Sequence, residues 1–171
     1  VTEYAKQARK LEQIEAALEK RTILVETDKK GLITHANDNF CEISGYSQEE
    51  LVGKTHSIVN SGLHSREFFR NMWQTISNKQ LWSGDITNRK KNGDLYFVKT
   101  TIAPLTNMDD EIISYLAIRQ DITDKIQKET DRAKTLKILN ETSSIAKVGG
   151  WELNVATGVL TWTDETFRIL E

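Results

Sequence analysis

Residues 35–54 read HANDNFCEISGYSQEELVGK, a stretch punctuated into two very short helices by its own capping residues. Asn37 stands where a helix N-cap belongs, its side-chain oxygen able to accept from a free backbone N–H of the first turn. Phe40, Ile43 and Tyr46 follow at helical spacing, and Gly45 ends the helix. Ser47 and Glu50, three residues apart, form a capping-box pair for one further turn that closes at Gly53.

Upstream, TILVETD reads as a strand, KKG as a turn and LITHAN as a second strand, so a hairpin from Thr22 leads into these helices. Downstream, residues 65–77 form the one longer internal helix. Its apolar face carries Phe68 or Phe69, Met72, Trp73 and Ile76, and it should lie against a sheet. Three strands are expected next: WSGDITNRK, DLYFVKTTIAPLT and EIISYLAIRQDIT. Asn92-Gly93 is a strong hairpin signal between the first two, and NMDD marks the second turn. Leu95, Phe97 and Lys99, then Ile113, Tyr115 and Ala117, alternate along their strands, which gives each strand two distinct faces in an antiparallel sheet.

Both flanks differ in character. From Val1 to about Lys20 there is no Gly or Pro, and Tyr4, Leu11, Leu18 and Val25 recur every seven residues with Ile14 between, a heptad seam on an otherwise charged surface. Such a helix needs a partner to cover its stripe. From Asp124 to about Ile145 the chain is again polar and helix-prone, with Ile122, Ile126, Ala133 and Leu136 at heptad-like positions. Gly149-Gly150 should stop it, after which WELNVATGVLTW reads as a hairpin with a helix start at Asp164. The segments are therefore an N-terminal linker helix (1–21), a central domain (22–123), an outgoing helix (124–147) and the opening of a second unit resembling the first (148–171).

Composition narrows the function classes. The 171 residues carry 23 basic and 25 acidic side chains, a net charge of −2, so no global field draws the chain to nucleic acid or to an anionic membrane. Arg89-Lys90-Lys91 reads as a solvated turn. The single cysteine, Cys41, rules out an internal disulfide and a CxxC metal site and fits a reducing cytoplasm. Apolar runs fall far short of the roughly 18–20 residues that span a bilayer, and no signal peptide opens the chain, so any membrane span is expected elsewhere. GxSxG, P-loop and HExxH motifs are all missing, so an output enzyme would be encoded outside this segment. His35, His56 and His64 have no metal-ligand spacing.

The order of two strands, short helices, a longer helix and three strands resembles the PAS fold, and Asn37, Phe40, Gly45, Tyr46, Glu50, Leu51 and Gly53 match its N-x-x-F-x-x-x-x-G-Y-x-x-x-E-L-x-G pattern. Asp121 to Thr123 resembles the Asp-x-Thr motif at which PAS cores join an outgoing signalling helix. The resemblance implies an α+β domain with a five-stranded antiparallel sheet and short helices on one face, flanked by N- and C-terminal coiled-coil helices.

Within that family, MWQTISNKQLWSGDITNRKKNGDLYFV is similar to the FAD-binding PAS domains of aerotaxis receptors and nitrogen-fixation regulatory flavoproteins, through Trp73, Trp82, Ser83, Gly84, Asn88, Arg89 and Lys91. That resemblance implies noncovalent FAD between the sheet and the short helices, with Trp82 beside the ring and Asn88 hydrogen-bonding its polar edge. An amide offers both donor and acceptor to such an edge, and aromatic walls supply stacking area. The candidate cofactor residues are Asn37, Asn60, His64, Phe68, Trp73, Trp82, Ser83 and Asn88. Asn60, Ser61 and His64 stand where the aerotaxis receptor is more basic. The segment THSIVN has no cysteine, so cysteinyl-flavin photochemistry is not expected, and neither is haem. The expectation is a noncatalytic, cytoplasmic, homodimeric sensory input that senses redox state, oxygen or light and signals to an output domain in the same chain. A cofactor-free dimerisation module and a haem or small-metabolite sensor are the alternatives.

Overall fold

The hairpin at the start of the domain forms where the sequence places it, with β1 (Ile23–Asp28) antiparallel to β2 (Ile33–Ala36). Asp28 builds the turn by accepting from the backbone N–H groups of Lys30 and Leu32 through one carboxylate oxygen. The computed structural model describes residues 3–146, 150–162, 164, 166 and 168. Helix α1 (Glu3–Arg21) precedes the hairpin, and α2 (Asp38–Ser44), α3 (Gln48–Leu51), a 3₁₀ turn at His56–Val59 and α4 (Arg66–Ser77) follow it. Then come β3 (Trp82–Arg89), β4 (Leu95–Thr106) and β5 (Ile112–Asp121), with α5 (Thr123–Ala146) beyond.

The capping chemistry is as the sequence demands. Ser47 and Glu50 complete a reciprocal capping box, Ser65 caps α4 through the N–H of Phe68, and Gly45 takes the left-handed conformation at the end of α2 with φ of 76°.

The five strands form one antiparallel sheet in the order β2-β1-β5-β4-β3. This is the expected α+β architecture. One face of the sheet carries Val25, Trp82, Ile86, Tyr96, Val98, Ile102, Tyr115 and Ala117, all buried with Phe40, Leu51, Met72 and Ile76 from the helices. The opposite face carries Leu24, Phe97, Leu116 and Ile118, each half-buried.

Two expectations need correction. Val25 does not extend the seam of α1, because the helix ends at Arg21 and Val25 is fully buried in β1. Ile113 does not share the inner face with Tyr115. A register shift at Leu105/Thr106 pairs Ser114 with Leu105 and Ile112 with Thr106, which leaves Ile113 without a cross-strand partner and 53% exposed.

The chain divides into two units between Thr123 and Asp124. In the second, α5 is followed by the hairpin β6 (Trp151–Asn154) and β7 (Val159–Trp162). Gly149 and most of the helix expected from Asp164 lie outside the described residues.

Candidate functional site

Helix α4, the 3₁₀ turn and the β1–β2 turn do not close completely on the inner face of the sheet. They leave a cavity of about 360 Å³, at the lower end of the roughly 300–1,000 Å³ usual for small-molecule sites. Its walls are mainly apolar: Phe69, Met72 and Ile76 from α4 face Ile86 and Ile102 from the sheet. Trp73 makes another wall, set edge-on to Tyr115 at 5.7 Å between ring centroids. Gly31 is needed there, because a Cβ on it would sit 2.8 Å from the Trp73 ring.

The polar residues that line the cavity come from separate elements, and the most buried of them are on the sheet. Asn88 on β3 is buried at 6% exposure and pairs across the ladder with Tyr96. Asn60 bridges to it as an isolated β-pair. Arg119 on β5 is only 4% exposed. Its guanidinium lies 5.3 Å from the centre of the Phe40 ring, yet its Nε and Nη1 have no hydrogen-bond partner among the described residues. Nε2 of His56, from the 3₁₀ turn, is equally unpartnered.

Burial sets the ionisation of this cluster. It lowers Arg119 to about 10, with Tyr96 acting the other way, so the guanidinium is still charged at neutral pH. Burial, and then the charge of Arg119, hold His56 well below the ordinary histidine value, which makes it a neutral imidazole. Burial pushes the Tyr96 phenol up to about 12. Its hydroxyl meets no partner at hydrogen-bonding geometry, although the Asn88 amide is close enough to favour the ionised form slightly. A buried charge with unfilled donors is costly unless something else fills them. These residues therefore suit a planar ligand with stacking faces and an edge of acceptors.

Of the eight residues singled out in the sequence, Asn60, Trp73 and Asn88 line the cavity. His64, Phe68 and Trp82 form an aromatic cluster at α4 and β3. His64 stacks on Phe68 at 4.3 Å, and Phe68 stands edge-on to Trp82 at 5.6 Å. Nε2 of His64 also accepts from the Thr87 N–H, while Ser61 donates to the Thr87 carbonyl, so the loop after the 3₁₀ turn covers the edge of β3. The Trp82 indole lies over Gly84, where a Cβ would come within 2.7 Å of the ring. That accounts for Gly in the Trp-Ser-Gly triplet.

Ser83 points to the other face of the sheet and donates to the Thr100 carbonyl. Asn37 is spent on structure. Its Oδ1 accepts from the N–H groups of Phe40 and Leu24, and its Nδ2 donates to the carbonyls of Glu19 and Thr22. Sequence reasoning passed over Arg119, though a lone arginine continuing the inward alternation of Tyr115 and Ala117 was a visible signal. Cys41 is half-buried, with its thiol pushed up by burial and by Asp38. No group of three or more metal-ligating side chains occurs among the described residues. No described helix is long and apolar enough to cross a membrane.

A five-stranded antiparallel sheet that holds a cavity against short helices is the layout of an α+β sensory domain. Residues 21–124 match the PAS domain family, and the chain belongs to that family. It is 32% identical over 148 residues to the aerotaxis receptor of Escherichia coli (strain K12), covering 82% of this chain and 29% of that protein. To the nitrogen fixation regulatory protein of Klebsiella pneumoniae it is 37% identical over 97 residues, covering 57% of this chain and 20% of that one. The chain thus spans less than a third of the length of either relative.

Among solved structures, the PAS domain of a protein from Colwellia psychrerythraea matches with a TM-score of 0.60 at 23% identity, over 67% of this chain and 98% of that one. A light-oxygen-voltage domain studied with a flavin analogue matches with a TM-score of 0.61 at 15% identity, over 74% of this chain and 96% of that one. At those identities the likeness establishes the fold. PAS domains are typically noncatalytic sensory modules, and the two relatives are a receptor and a regulatory protein by name.

Proposed function

We propose that this chain is the sensory input module of a bacterial signalling protein, such as one of a two-component system. It would bind FAD noncovalently in the cavity and report redox state, oxygen or light to an output domain elsewhere in the same protein. The observation that carries this is the cavity itself: apolar and aromatic walls, a buried amide at Asn88, and His56 and Arg119, whose buried nitrogens have no partner among the described residues. The similarity to the aerotaxis receptor and the nitrogen fixation regulatory protein, and the Trp73, Trp82, Gly84 and Asn88 pattern, favour a flavin over other planar ligands.

FAD, when bound, supplies a ring system whose polar edge changes charge and hydrogen bonding with its oxidation state. Asn88 and Asn60 would meet that edge, and Trp73 with Phe69 would flank the ring. His64, Phe68 and Trp82 would hold the shape of that wall through Phe69, which stands 5.3 Å from Phe68. Lys30, the exposed cation among the lining residues, suits the diphosphate. Asn37 and Ser83 lie away from the cavity, and we assign them structural parts.

A short path leads out of the site. Arg119 is two residues from Asp121, whose carboxylate accepts from the Thr123 N–H at 2.8 Å. Thr123 Oγ1 in turn accepts from the Phe97 N–H at 3.0 Å, and Ile122 donates to the Phe97 carbonyl at 2.9 Å. A shift of β5 against β4 would therefore reach the first residue of α5. Two packings of paired linker helices need differ by only a few kcal/mol for this to act as a switch. Tyr4, Leu11 and Ile14 of α1 are exposed and form the seam for a cytoplasmic homodimer. We read residues 148–171 as the opening of a second PAS domain, and we propose neither nucleic-acid binding nor direct membrane contact for this segment.

Titrating the protein with FAD and following flavin fluorescence tests the proposal. Saturable binding of one FAD per domain, weakened at least tenfold by Asn88→Ala, is expected. An absence of binding would favour the cofactor-free relay, and a Soret band in the purified protein would instead mark a haem sensor.

A further inference from the structure

The inner face of β5 carries one feature that neither packing nor folding explains. Arg119 sits mid-sheet, paired in register with Ile23 on β1 and Thr100 on β4, and is 4% exposed. Removing such a charge from water is expensive, and a guanidinium in that position is ordinarily saturated by carboxylates or carbonyls. Among the described residues, Nε and Nη1 have no partner, no carboxylate pairs with the group, and Thr100 Oγ1 opposite it is unpartnered too. Phe40 covers one side of the guanidinium at 5.3 Å, which restrains its plane without filling its donors. His56, whose Nε2 is also without a partner among the described residues, lines the same cavity.

We propose that Arg119, with His56 beside it, is an acceptor-recognition subsite. It would select planar aromatic ligands that present an anionic or carbonyl edge, whether the imide edge of a flavin or the carboxylate of an aromatic acid. The subsite requires the cavity to be a ligand site, as the proposed function does, but not that the ligand be FAD. Arg119 is then a specificity-determining residue kept at the expense of the empty domain's stability. Its donors form charge-assisted hydrogen bonds only when ligand is present. Filling its place with an apolar side chain should affect the empty domain and ligand binding in opposite directions, since buried charges are often replaced by hydrophobic residues at no loss.

The test compares wild type, Arg119→Met and Arg119→Lys by calorimetric titration with two probes, FAD and benzoate, and by thermal melting without ligand. Wild type is expected to bind at least one probe. Arg119→Met should weaken that binding at least tenfold while melting at the same or a higher temperature, and Arg119→Lys should fall between in affinity. Arg119-dependent binding of benzoate without binding of FAD would uphold the subsite and sink the flavin assignment. Binding by Arg119→Met equal to wild type, no binding of either probe by wild type, or a ligand-free Arg119→Met that melts several degrees lower would each overturn the proposal.

Discussion

Replacing Asn37 with Ala removes four hydrogen bonds from one buried side chain, and the structure sets the size of the loss. The N-cap contact to the Phe40 N–H at 3.1 Å is worth about 1 kcal/mol. The Leu24 N–H, 3.0 Å from Oδ1, would be left without its side-chain acceptor in a partly buried place, at about 1–3 kcal/mol. The Glu19 and Thr22 carbonyls lose less, because Asn39 Nδ2 also reaches them at 3.4 and 2.8 Å. The sum is about 3 kcal/mol, or on the order of 15 °C in Tm for a domain of this size. Urea unfolding followed by circular dichroism should show it as a lower midpoint with an unchanged slope. Asn37→Ala and Asn39→Ala should also combine non-additively, by at least about 0.5 kcal/mol, since the two amides share both carbonyls. A loss below about 1 kcal/mol would refute this bookkeeping. So would a fall in FAD affinity with stability intact, which would make Asn37 a ligand contact.

Three further outcomes follow from the same geometry. Gly84→Ala forces a Cβ to within 2.7 Å of the Trp82 ring and should destabilise the domain by about 1–3 kcal/mol, read from its urea midpoint. Gly31→Ala meets a φ of +83° as well as the Trp73 ring at 2.8 Å, so it should lower both Tm and ligand affinity, whereas Gly93→Ala, with open space around its Cβ, should spare affinity. His56 has its folded pKa well below the ordinary 6.5, so between those values the unfolded chain holds the extra proton and stability falls as pH drops below about 6.5. The slope should approach about 1.4 kcal/mol per pH unit and flatten in His56→Gln, as measured by urea midpoints at pH 7.5 and 5.5.

The elements that could be read from the sequence were those fixed by local chemistry. Asn37 and Ser47 cap helices because an N-cap needs only a side-chain oxygen a few atoms from its target, and Asn92-Gly93 turns the chain within its own dipeptide. The bulge that expels Ile113 depends on which residue of β4 stands opposite, a fact with no local trace. The site divides in the same way. Asn88 and Trp73 were legible through the family pattern, Asn60 was a candidate from the loop that departs from it, and all three line the cavity. The orientation of Trp82, His64 and Phe68 is decided by their packing on one another and on β3, which sequence spacing does not encode. Arg119 was missed because its charge late in a strand suggested a solvent-facing side chain, against the inward alternation it shares with Tyr115 and Ala117.

FAD binding is tested most directly by the visible absorption spectrum of protein purified without added cofactor, followed by heat release and chromatography of whatever is freed. The expected result is the bands of an oxidised flavin, with FAD released in about a one-to-one ratio to the domain. A spectrum without visible bands that stays so after incubation with FAD would contradict it.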